Sequence, residues 1–195
     1  MLAEWSAECS ADDPILVVPW HDPDGNSAFV DLRSSPHDYD AVTEAELHPP
    51  LMQALRALNA SRSPVFTAKC DAWPLDHEEM QQMHRNLDLT PIDAPAGFAS
   101  YIDLVGRDQS LFSSFHRQEQ WLRTLTRLAA PIDRPLAALD CVLRPAFLDL
   151  EEPREGFAVT LYVKALGSNP QTAWKEWAIA LAAVVALIRN KDFAR

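Results

Sequence analysis

Phe98-Ala99-Ser100-Tyr101-Ile102-Asp103-Leu104-Val105 is the stretch that decides the fold. Apolar and polar side chains alternate through its centre, the period of a strand that lays one face on a core. Downstream, Asp108 stands where a helix cap belongs, and Leu111, Phe115, Leu122, Leu125 and Ala129 then share one side of a helix that ends at Pro131 and Pro135. Two further strands are expected, Ala138 to Leu148 and Gly156 to Leu166, on either side of the charged turn Glu151-Glu152-Pro153-Arg154. Asn169-Pro170 opens a last helix, with asparagine as cap and proline in the first turn.

This rear half reads βαββα, the ferredoxin-like order without its final strand. Upstream, the apolar runs Ile15 to Trp20 and Ala28 to Leu32 face each other across Asp22-Pro23-Asp24-Gly25-Asn26, the residues of a hairpin turn. His48-Pro49-Pro50 introduces Leu51, Leu55 and Leu58 at helical spacing. Pro64 to Trp73 sets Phe66, Ala68, Cys70 and Ala72 against Thr67, Lys69 and Asp71 as a half-buried strand. Asp76 and Glu79 form a capping pair ahead of Met80, Met83 and Leu87. The expectation is an α+β protein with a mixed or antiparallel sheet. Residues 1–97 form an acidic ββαβα half and 98–195 a ferredoxin-like βαββα half, divided at the Pro-rich stretch Thr90 to Gly97 or joined in one continuous domain. An edge strand from the front half can complete the rear sheet.

From Trp177 to Ile188 the last helix is apolar on every side, shorter than a span of about 20 residues yet too apolar for an ordinary surface helix. Burial on two sides follows, within the chain or against a second subunit.

Charge is unevenly placed. Of 28 Asp and Glu, 17 fall in residues 1–98 against 5 Lys and Arg, whereas the remainder is nearly neutral. Such a surface repels nucleic acid and anionic membranes and favours cations or basic partners. Cys9, Cys70 and Cys141 show no metal or disulfide spacing, and Met1-Leu2-Ala3-Glu4-Trp5 lacks a signal peptide's basic and apolar regions, so a cytoplasmic protein is expected. The sequon Asn59-Ala60-Ser61 is then a chance match.

Five dispersed glycines cannot build a phosphate-cradling loop, so no nucleotide cofactor is expected. Asp22 to Asn26 has the carboxylate spacing that opens a calcium loop, but Ser27 and Arg33 stand where such a loop needs glycine and glutamate. His21, Asp22, His37, Asp38 and His48 gather in the acidic loops without a regular element to make them converge, and Gln81 breaks any zinc motif between His77 and His84. Glu155 to Tyr162 resembles the RNA-binding strand of RRM domains only in outline. Glu155 stands in place of a cation and Val159 in place of a stacking ring, so no RNA contact is expected.

Alternation directs Ser100, Ile102, Leu104, Leu139, Cys141, Leu143, Val159, Leu161 and Val163 into the core. It turns Tyr101, Asp103, Asp140, Arg144, Thr160, Tyr162 and Lys164 outward. Tyr101, Asp103, Arg144, Tyr162 and Lys164 are the candidate ligand or interface residues of a non-enzymatic binding module, regulatory or self-associating. Its partner would be itself, another protein or a small molecule. The alternative is a metal-assisted hydrolase built on the histidine-containing loops.

Overall fold

The computed structural model describes residues 1–21, 28–35 and 38–190. Six strands form one mixed sheet: β1 (Leu2–Ala7), β2 (Leu16–Val18), β3 (Val65–Pro74), β4 (Ala96–Gly106), β5 (Ala137–Leu148) and β6 (Arg154–Gly167). Their order is β1-β5-β6-β4-β3, with β2 in line with β1 along the same side of β5. β1 and β2 run parallel to β5, and every other pairing is antiparallel. The helices are α1 (Thr43–Leu47), α2 (Pro49–Asn59), α3 (His77–Leu87), α4 (Gln109–Phe112), α5 (Phe115–Ala129) and α6 (Pro170–Ile188).

The α+β class and mixed sheet are as the alternation of residues 98–105 implies. The order β5-β6-β4 is consistent with a ferredoxin-like unit, and β3 lies antiparallel to β4 where the missing last strand would stand. Both halves therefore contribute to one sheet.

Local chemistry sets several element ends. Asp76 Oδ1 accepts from the Glu79 amide at 2.9 Å while Glu79 Oε2 accepts from the Asp76 amide at 2.9 Å, a reciprocal cap for α3. Asn169 Oδ1 accepts from Thr172 N at 2.9 Å, and Pro170 follows at the first position of α6. The single helix expected after Asp108 is two: α4 is capped by Asp108, and Ser114 caps α5 afresh with its hydroxyl accepting from Arg117 N at 3.3 Å.

One sheet face is covered by α2, α5 and α6, and the inward set Ser100, Ile102, Leu104, Leu139, Cys141, Leu143, Val159, Leu161 and Val163 is buried there as alternation requires. Trp177 of α6 is fully buried and donates Nε1–H to Ser100 Oγ at 2.9 Å, which explains a serine at a core position.

Three expectations are corrected. The front hairpin reduces to the short β2 and one bridge between His21 and Ala28, because β2 pairs with β5 instead; its turn, Asp22 to Asn26, lies outside the described residues. β1 was not foreseen. The last helix is not buried all round: β6, β4, α2 and α5 cover Ala173, Trp177, Ala180, Leu181, Val184, Val185 and Ile188, whereas Ile179, Ala182 and Ala186 face outward.

β3 departs from simple alternation as well. Its register to β4 shifts between Thr67 and Cys70, a bulge. The buried Asn59 at the end of α2 holds it there: Oδ1 accepts from the Thr67 amide at 3.0 Å, and Nδ2 donates to Thr67 Oγ1 at 2.7 Å. Phe66 and Ala68 consequently pack with Val105 and Phe112, while Cys70 and Ala72 join the cluster beneath the helices. The Asn59 of the sequon is thus committed inside the fold.

Candidate functional site

Among the described residues, the second sheet face is covered by apolar packing only at its ends. At one end Phe66, Val105, Phe112, Ala146 and Leu148 form an apolar cluster, and at the other Met83 of α3 packs with Ala94, Ala138 and Leu166. Between them runs a polar trough.

The register defines the trough residue by residue. Asp71 of β3 stands opposite Tyr101 of β4, Tyr101 opposite Tyr162 of β6, Tyr162 opposite Asp140 of β5, and Asp140 opposite Glu4 of β1. Directly paired residues share a face, so these five form one row across five strands, roughly 19 Å long at the usual strand spacing. Two tyrosine rings occupy the middle, with centroids 6.1 Å apart, and the Trp73 ring lies 6.1 Å from that of Tyr101.

All five candidate residues, Tyr101, Asp103, Arg144, Tyr162 and Lys164, lie on this face, and their neighbours are specific. Lys164 Nζ is 3.2 Å from Asp140 Oδ2 and 5.6 Å from the Tyr162 ring centroid. Arg144 Nη2 is 2.9 Å from Glu8 Oε2, so a front-half carboxylate neutralises it. Asp103 is buried at 6% exposure and accepts the Thr160 hydroxyl at 2.6 Å.

The field of the trough is acidic. Burial raises the Asp103 carboxyl above its usual range, against the Thr160 hydrogen bond and the nearby Arg144 and Lys69 charges. Burial, with Asp103 and Asp71 close by, also raises the Tyr101 phenol, and burial raises that of Tyr162. Both rings therefore stay neutral at physiological pH. The Cys70 thiol is pushed up to about 12 by burial, with Glu44, Asp71 and Asp103 adding to it, so it remains an unreactive thiol.

A cavity adjoins each end of the row. At the β3 edge one of about 650 Å³ is lined by Trp20, Phe29, Glu44, Lys69, Asp71 and Tyr101. At the β1 edge one of about 530 Å³ is lined by Glu4, Trp5, Ser6, Asp140 and Cys141. Sequence reasoning missed Glu4 and Asp71. For Glu4 a signal existed, since Ala3, Trp5 and Ala7 alternate with Glu4 and Ser6; the bulge that sets Asp71 beside Tyr101 has none.

Of the described front-loop histidines, His21 lines the cavity at the β3 edge of the row, whereas His48 lies on the helix-covered side. His48 packs edge-on against Phe98 and Trp177, with ring centroids 5.3 and 6.2 Å away. His84 is buried with Nε2 2.8 Å from the Ala94 carbonyl oxygen, whereas His77 is exposed. Among the described residues no three His, Cys, Asp or Glu side chains are grouped to hold a metal ion; Asp22 and His37 lie outside them.

Fold and trough together define an α+β protein with a mixed six-stranded sheet, one face helix-covered and the other carrying an acidic, aromatic row. No protein family, curated protein or solved structure matches the chain.

Proposed function

We propose that the protein is a non-enzymatic binding module that receives a basic segment of a partner protein along the open sheet face. The observation that carries this reading is the cross-strand row Asp71, Tyr101, Tyr162, Asp140, Glu4. Carboxylates at its two ends and neutral tyrosine faces in its middle suit a chain bearing lysine or arginine: cations pair with the acids, and a guanidinium or an apolar side chain lies over the rings. The net charge of −11 adds attraction at longer range. Arg144 is paired with Glu8 and Lys164 with Asp140, and Lys69 lies over the Trp20 ring, so the carboxylates the row offers to a partner's cations are those of Asp71 and Glu4 at its two ends.

Selection of random peptides on the intact protein tests the reading. Enriched sequences should be rich in Lys and Arg with an aromatic or long apolar residue. Their affinity should fall at least about tenfold, or 1.4 kcal/mol, in Tyr162→Ala and in the double variant Glu4→Gln, Asp71→Asn, with melting well above the temperature of the binding measurement in both. Acidic or neutral consensus peptides, or basic ones that bind both variants at full strength, overturn it.

A further inference from the structure

Away from the trough, two guanidinium groups flank one ring. Arg33 Cζ lies 4.6 Å and Arg107 Cζ 6.0 Å from the Phe66 centroid. Each is tethered. Arg33 is held by Asp31 through Nε to Oδ1 at 2.9 Å and Nη2 to Oδ2 at 2.9 Å, and Arg107 donates from Nε to the Val65 carbonyl at 3.1 Å and from Nη2 to that of Asn59 at 2.8 Å. Arg56, in the last turn of α2, sits with Cζ 5.2 Å from the Tyr39 ring centroid. These three arginines, with Tyr39 and Ser61, line a cavity of about 760 Å³ with no Asp or Glu in its lining among the described residues, Asp31 being paired with Arg33 outside that lining.

The concentration is out of keeping with the rest of the front half. Two of its five basic residues, Arg33 and Arg56, meet here with Arg107, although 17 carboxylates are distributed over the same 98 residues. Capping the carbonyl end of α2 accounts for the place of Arg107. It does not account for its Nη1 or for the Arg56 fork, neither of which has a hydrogen-bond partner among the described residues. Desolvation, and after it the Arg33 charge, hold Arg107 below its ordinary value, against the opposing charge of Asp31.

We propose that this cavity binds a small ligand through a multiply charged oxyanion group, a phosphate or a polycarboxylate, gripped by Arg33, Arg56 and Arg107. The Arg56 fork and the remaining Nη1 edges of Arg33 and Arg107 match the oxygens of either group, Arg56 and Arg107 carry most of the attraction because Asp31 offsets the Arg33 charge, and the volume suits a metabolite-sized molecule.

The test is titration of the full chain with sodium pyrophosphate, and separately with citrate, at ionic strength held constant with sodium chloride, while the melting temperature is followed. A saturable rise of several degrees is expected with at least one of them, lost in Arg56→Glu, an exposed position whose substitution lowers the anion-free melting temperature modestly through loss of the Tyr39 contact and of a cation at the α2 C-terminus. A stronger response to pyrophosphate identifies a phosphate ligand and one to citrate a polycarboxylate; either supports the site. A response to neither anion beyond that of chloride overturns it, as does a full response retained in both Arg56→Glu and Arg107→Ala. Basic-peptide binding at the trough should be intact in Arg56→Glu, so the two sites are separable.

Discussion

Thr160 donates its hydroxyl to Asp103 across the β4–β6 ladder at 2.6 Å, within a face that leaves the carboxylate only 6% exposed. That single strong bond does not offset desolvation, and the carboxyl is raised. A raised acid favours folding most while protonated. Its contribution is complete below the unfolded value, near 4, and is lost as pH climbs through the folded one.

Asp103→Asn keeps an acceptor for Thr160 and cannot ionise. The variant should match the parent at about pH 3.5 and melt higher than the parent at pH 7. Circular dichroism melts across that range check it; a lower melting temperature at pH 7 would show that the ionised carboxylate is stabilising.

On α6 the sequence treats Ala182 and Val185 alike, and the structure separates them. Val185 is 6% exposed and Ala182 faces outward. Val185→Asp places an unpaired carboxylate against the sheet-side core and should cost roughly 3–5 kcal/mol. Ala182→Asp should stay within about 0.5 kcal/mol of the parent. Urea denaturation distinguishes them, and an equal large loss in both would mean that the outward stripe is covered by a second subunit.

Asn59 is the hinge of the β3 bulge. Asn59→Ala strands the Thr67 amide and hydroxyl in a buried place and should cost about 2 kcal/mol. Because the bulge sets Asp71 opposite Tyr101, the same substitution should also weaken basic-peptide binding more than its stability loss explains. Peptide affinity measured well below the melting temperature checks this second effect.

The legible parts of the fold were those in which a single local rule decides. Asp76 with Glu79, Asn169 with Pro170, and the period-two runs of β4, β5 and β6 specify their elements within a few residues. The candidate face was legible for the same reason, since alternation alone turns Tyr101, Asp103, Arg144, Tyr162 and Lys164 to one side. Non-local choices were not. Nothing local makes Leu16–Val18 pair with β5 rather than with Ala28–Leu32, and the β3 bulge depends on an asparagine from another element. The outward stripe of α6 is as apolar as the buried one, so only packing distinguishes them.

In the proposed function a partner binds along the row from Asp71 to Glu4. Backbone amide shifts of isotope-labelled protein, followed while a selected basic peptide is titrated in, locate the contact directly. The largest changes should fall on Asp71, Tyr101, Tyr162, Asp140 and Glu4 and their neighbours across all five strands. Changes centred instead on α6, or on the Arg33 and Arg107 cavity, with the row unmoved, would contradict the account.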